Sequence, residues 1–281
     1  MKQVLSVVPM SATRLRPWWL WPNLLSLDAP LVALVWQELW AHCLAVEISW
    51  VHRALLVLAT WLAYSGDRLL DVRHLYGPID SPRHKFTRDQ SSLISKLWVV
   101  AFISAIVLTL HLSLHEIIGG FVLLLVIGGY FILHHCCRIR GYVGSMKEVM
   151  AGVVFAAGTI FFVVIQAQYT PALILAFIVW ASLCVLNCLI IACWDRERDA
   201  AMGQYSLAQH WVNADRWFWF WAGMIILLAG ATWVMDDKFG PVVAALFLSV
   251  LALTELSRSN STDCCRVLAD VLLLTPIFFL W

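Results

Sequence analysis

ALLVLATWLAYSGDRLLD, residues 54–71, begins as a segment suited to lipid and ends on two aspartates and an arginine. The apolar part fits a membrane helix, yet Asp67, Arg68 and Asp71 follow it with no intervening loop. A second stretch, WDRERD at 194–199, closes another long apolar run in nearly the same letters. Both read D-R-x-x-D. Residues i and i+4 of a helix share a face, so Asp67 pairs with Asp71 and Asp195 with Asp199. Like charges so placed repel by roughly 0.2–0.5 kcal/mol. Either motif alone reads as an ordinary polar helix end. Two copies in matching positions call for a common partner.

The composition sets the solvent. Of 281 residues, 62% are hydrophobic and 13% charged, against about 25% charged in soluble domains. A soluble chain this apolar could not cover its surface, so an integral membrane protein is expected. The absence of a dense basic stripe argues against nucleic acid as a partner. Apolar segments of spanning length fall at 29–48, 51–66, 97–114, 117–135, 148–166, 171–193, 217–235, 240–256 and 264–281. The expected fold is an all-α integral membrane bundle of nine transmembrane helices, a single domain over residues 1–281. Four spans separate the motifs, which suggests two parallel four-helix repeats plus a ninth helix. With the amino terminus cytosolic, every one of the 19 Lys and Arg residues except Arg53 and Lys238 faces the cytosol. That sets a multi-pass orientation with the carboxyl terminus outside, expected in a bacterial inner membrane.

Facing carboxylate pairs suit Mg²⁺, a hard ion that keeps several waters and takes one or two carboxylates with phosphate oxygens. Such ions neutralise charge on a departing diphosphate, and nearby Arg or Lys adds to the effect. The four aspartates therefore read as a clamp for a diphosphate whose apolar tail enters the bundle. In the first span, Glu38 and His42 stand one turn apart and are read as a local pair. The alternative makes Gln37, Glu38, His42 and Glu47 a polar wall for an acceptor. Asp270, in the ninth span, is either shielded while protonated or packed inside. The eight cysteines form no metal frame. Cys184 and Cys188 read as apolar filler, and His134–His135 point in different directions. Trp18, Trp19, Trp21 and the run WFWFW at 217–221 fit interfacial aromatic belts.

Nine spans with aspartate clusters after the second and sixth, on the cytosolic face, resemble the UbiA-type superfamily of intramembrane prenyltransferases. The family's first motif reads N-x-x-x-D-x-x-x-D, and AYSGDRLLD supplies Asp67 and Asp71. Its second reads D-x-x-x-D, often followed by glycine, lysine and a small hydroxyl residue. DRERDAAMGQYS supplies Asp195, Asp199, Gly203 and Ser206. Ala63 stands where the family has its asparagine, and Tyr205 where it has its lysine. The resemblance implies Mg²⁺-dependent transfer of a prenyl group from a prenyl diphosphate to a small aromatic or lipid acceptor. Asp67, Asp71, Asp195 and Asp199 would be the catalytic metal ligands. Arg68, Arg83, Lys85, Lys147 and Arg196 are the candidates for holding the diphosphate, Lys147 opening a span where relatives often place a basic residue. Asparagine at position 67 or 195 is expected to abolish turnover and leave the fold intact, because both positions end a helix in a polar zone. A terpene cyclase and a non-catalytic isoprenoid-binding relative remain as alternatives. A transporter of the major-facilitator kind also carries D-R near a glycine. Those carriers repeat every six spans over twelve, which the spacing here disfavours.

Overall fold

The computed structural model describes residues 17–74, 81–132, 146–201, 206–211, 213–259 and 263–280. Among them every regular element is helical. In chain order these are α1 (Trp21–Leu24), α2 (Asp28–Leu44), α3 (Trp50–His74), α4 (Pro82–Asp89), α5 (Ser91–Thr109) and α6 (Leu114–Phe131). There follow α7 (Lys147–Val164), α8 (Pro171–Ala201), α9 (Leu207–His210), α10 (Phe218–Met235), α11 (Gly240–Leu256) and α12 (Asp263–Val271). Gly203, Tyr205, His134–His135 and the cysteine pair Cys136–Cys137 lie outside the described residues.

Among the described residues, five helices are long and apolar enough to cross a membrane: α5, α7, α8, the stretch Ala214–Met235 that contains α10, and Asp237–Leu256, which contains α11. A sixth results if Trp18–Leu24 and Asp28–Leu44 form one span broken by 79°. The remaining expected segments also fold as helices, as α3, α6 and α12, without meeting that length and apolarity. The all-helical membrane class stands. Lipid is the natural solvent for the outer face, since α5 has no buried residue. Val100, Ile103 and Ile106 on α5, and Ile118, Phe121 and Leu125 on α6, are all exposed. Soluble monomers rarely show contiguous apolar surface on that scale.

The interior is built around α8. Its 31 residues run from Pro171, where the Thr170 hydroxyl accepts the Leu173 N–H at 3.1 Å, to the second aspartate motif. Helix α7 lies against it at Gly152, where an added Cβ would meet the Val185 backbone nitrogen at 2.7 Å. Trp36 of α2 stacks on Trp180 of α8 with ring centroids 3.9 Å apart. The Trp36 indole N–H donates to the Leu273 carbonyl at 2.7 Å, so this buried polar group has its partner.

Two irregular segments position the polar end. Ser26, at φ 57°, interrupts the chain between α1 and α2, and Trp61 of α3 donates to the freed Leu25 carbonyl at 2.9 Å. After α12 the chain continues as a 3₁₀ helix over Leu272–Phe279, with Pro276 inside it. Proline removes a backbone donor, and in lipid every remaining polar group needs a partner inside the protein. Helix α11 provides one: the Ser249 hydroxyl donates to Leu272 O at 3.0 Å and contacts the Thr275 hydroxyl at 2.7 Å. Thr275 in turn donates to Ala245 O at 3.0 Å. This anchoring holds α12, with Arg266 and Asp270, against the end of α8.

Candidate functional site

Helix α3 does not stop where its apolar stretch does. It runs to His74, so Asp67 and Asp71 lie on continuous helix, as Asp195 and Asp199 do on α8. Asp195 and Asp199 are each only 5% exposed. Three further elements bring positive charge to them. Helix α4 occupies part of the interval after the first motif and carries Arg83 and His84. Lys147 opens α7, and Arg266 comes from α12.

Asp195 is held from both sides. Arg266 Nη2 donates to its Oδ1 and Arg83 Nη2 to its Oδ2, the latter at 3.4 Å. Arg266 Nη1 also reaches Asp263 Oδ1 at 2.7 Å, and Arg198 Nη1 meets the same oxygen at 3.1 Å. The first motif joins through His84, whose Nε2 lies 3.8 Å from Asp71 Oδ2. Lys147 interacts electrostatically with Asp199, Asp71, Glu148 and Asp67, and so with both motifs. Burial works against the Arg83 charge, but the carboxylates of Asp195, Asp199 and Asp71 outweigh it and hold the guanidinium above its ordinary value. Burial pulls the His84 imidazole below its ordinary value, against the opposing pull of Asp71, which favours the neutral ring.

Several buried donors of the cluster find no acceptor. Arg83 Nε, Arg266 Nε and the Ser81 hydroxyl are buried without a hydrogen-bond partner. All three residues line a void of about 10 Å³ together with Leu20, Asn23, Pro82 and Asp263. That volume is roughly what one water requires. An anion of any size enters only if the elements around it part.

Of the expected diphosphate ligands, the structure brings Arg83 and Lys147 to the aspartates. Arg68 is buried and turns toward α1, where Nη1 donates to the Asn23 carbonyl. Lys85 is exposed to solvent. Arg196 leans back along α8, with Nη2 3.9 Å from Cys193 Sγ. The residues missed by sequence reasoning are Ser81, His84, Asp263 and Arg266. Arg266 gave a faint signal, being a lone cation four positions before Asp270 at the edge of an apolar run.

A second polar group lies one helical turn further along α12. Asn187 Nδ2 donates to Asp270 Oδ1 at 3.4 Å, and Asp28 of α2 lies beside the same carboxyl. Asp28 also accepts from Asn23 Nδ2 at 2.6 Å. Asp270 thus has a hydrogen-bond partner inside the protein. Glu38 differs from expectation: its carboxylate takes Arg53 through bonds of 2.6 and 2.8 Å, while His42 is exposed. The planar guanidinium can meet both oxygens at once, which the imidazole cannot.

Among the described residues no group of three or more His, Cys, Asp or Glu side chains gathers to hold a metal ion. A resident metal cage is therefore not part of the described site. The donors still fit Mg²⁺ delivered with a diphosphate, since that ion needs only one or two carboxylates and completes its shell with water and phosphate oxygens. No family model, no curated protein and no solved structure matches the chain.

Proposed function

We propose that this chain is a membrane prenyltransferase of the UbiA type. In this reading it has nine spans, a cytosolic amino terminus, and a prenyl diphosphate bound where α3, α4, α7, α8 and α12 meet. The observation that carries the reading is the convergence of both aspartate motifs on Arg83 and Lys147. The acceptor-poor donors Ser81, Arg83 and Arg266 beside them add to it. A compact, multiply charged oxyanion satisfies such a set, and arginine binds phosphate oxygens with charge-assisted bonds. In this reading the apolar tail lies along a row of aromatic rings. Tyr64, Phe155, Trp180 and Trp36 form a chain of rings with successive centroids 6.1, 6.3 and 3.9 Å apart. Ring faces also favour positive charge beside them.

The reaction breaks the C–O bond to the diphosphate, whose electron pair leaves with the diphosphate. The allylic carbon is then captured by a small aromatic or lipid acceptor, which gives up a proton. Arg83 and Lys147 oppose the negative charge that builds on the leaving group. Asp71 and Asp199 keep these cations charged and aimed. Mg²⁺ arriving with the diphosphate would supply further Lewis-acid neutralisation. Purified protein in detergent, given prenyl diphosphates of several lengths, is expected to release diphosphate only with Mg²⁺ present. No release at any length, or equal release in EDTA, overturns the reading. Products formed without added acceptor would identify a cyclase instead of a transferase.

A further inference from the structure

Asp195 is claimed twice. As a motif aspartate it belongs to a divalent cation, yet both its oxygens already receive guanidinium groups, from Arg83 and Arg266. Arg266 stands outside both motifs and outside every basic residue the sequence pointed to. Its Nη1 holds Asp263, its Nη2 holds Asp195, and its Nε–H is buried with no acceptor. The same is true of Arg83 Nε, and both groups line one small void. Buried N–H groups are rarely left without an acceptor, so these two mark a place for oxygen atoms that the carboxylates do not fill. Phosphate oxygens suit the planar guanidinium fork as well as carboxylate does, with more charge to offer.

Resting on the prenyl-diphosphate reading above, we propose that Arg266 is a diphosphate-binding residue that exchanges partners together with Arg83. When diphosphate arrives, both guanidinium groups pass from Asp195 to phosphate oxygens, and Asp195 is released to the divalent cation that accompanies the substrate. The charges balance at each stage. The arginines always face an anion, and Asp195 always faces a cation. A buried carboxylate stripped of partners is costly, so release of Asp195 and arrival of the cation are linked. Linkage is reciprocal: without diphosphate the arginines compete with the metal, and without metal Asp195 competes with diphosphate. The scheme also accounts for the lack of a gathered ligand set among the described residues.

The two halves of the competition are measured apart, on full-length protein in detergent. Inorganic diphosphate is titrated by calorimetry in EDTA, and Mn²⁺ is titrated alone by electron paramagnetic resonance. Asp195→Asn removes the competitor for both arginines, so it is expected to bind diphosphate in EDTA about tenfold more tightly than wild type. Asp199→Asn removes the same charge without touching either arginine and is expected to gain distinctly less. Arg266→Gln is expected to weaken diphosphate and to bind Mn²⁺ alone several-fold more tightly, because Asp195 loses a guanidinium. Should Asp195→Asn not fold, the Arg266→Gln pair of measurements decides. If Asp195→Asn gains no more than Asp199→Asn, or Arg266→Gln leaves Mn²⁺ binding unchanged, the exchange is overturned while the anion site stands. If wild type and Asp195→Asn both ignore diphosphate, the prenyl-diphosphate reading falls with it.

Discussion

Asp67 and Asp195 occupy the same letter of the same motif, and their surroundings differ. Asp67 is half-buried, whereas Asp195 is buried between two arginines. Equivalence was the natural expectation, because a motif records spacing and not what other helices bring to it. Asparagine at either position is expected to abolish turnover, but only one change should spare the fold. Asp195→Asn takes away the buried carboxylate that Arg83 and Arg266 share, a loss of up to about 3–5 kcal/mol even though Arg266 keeps Asp263. Asp67→Asn should cost below about 1 kcal/mol. Chemical denaturation in detergent reads both, and equal midpoints would deny that Asp195 anchors the arginines. The basic residues divide in the same way. Removing a charge-assisted bond worth roughly 1.5–3 kcal/mol should make Arg83→Ala raise KM about tenfold or more. Lys85→Ala, exposed and off the cluster, should leave KM unchanged in steady-state assays with Mg²⁺ and a prenyl diphosphate. The sequence offered SPRHKFTR as one basic stretch, and helix α4 sorts it by face.

At the scale of elements, hydropathy located helices well and their interiors poorly. The apolar run of α8 and its polar ending were readable, since burial in protein and burial in lipid both demand apolar residues. For the same reason nothing in the run disclosed which side meets α7. Gly152 does so only in three dimensions, where Val185 backbone occupies the space a side chain would take. Gly152→Ala improves helix propensity by up to about 1 kcal/mol. Against that stands a contact under 3 Å with backbone, which cannot rotate away. Overpacking of this kind costs about 1–3 kcal/mol, so a net fall in thermal stability is expected. A rise in the melting temperature would show that α7 and α8 separate freely. The last expected span, 264–281, was read as one helix. Its division at Leu272 follows from Pro276 together with the Ser249 hydroxyl and Ala245 carbonyl of α11, partners that local sequence does not name.

For the whole molecule, composition was enough to name the solvent, and positive charge enough to propose an orientation. Neither revealed the buried polar interior, because its members are scattered singly along apolar segments: Asn23, Asp28, Asn187, Arg266, Asp270. No window shows which of the others each will meet, and they come together only when four helices close on one another. Orientation is the property on which the proposed chemistry depends most, since the substrate must reach the end bearing Arg83 and the aspartates. All Lys and Arg but Arg53 and Lys238 fall on one side if the amino terminus is cytosolic. The assignment is tested with single cysteines in an otherwise cysteine-free chain. Lys85→Cys sits exposed beside the site, and Lys238→Cys sits in the turn before α11 at the far end of α10. In inverted and right-side-out vesicles, a membrane-impermeant maleimide should modify position 85 from the cytosolic side and position 238 from the other. Labelling of both from one side would mean that the chain does not cross between them as proposed. Labelling of position 85 from outside would reverse the protein and remove its site from any cytosolic supply of prenyl diphosphate.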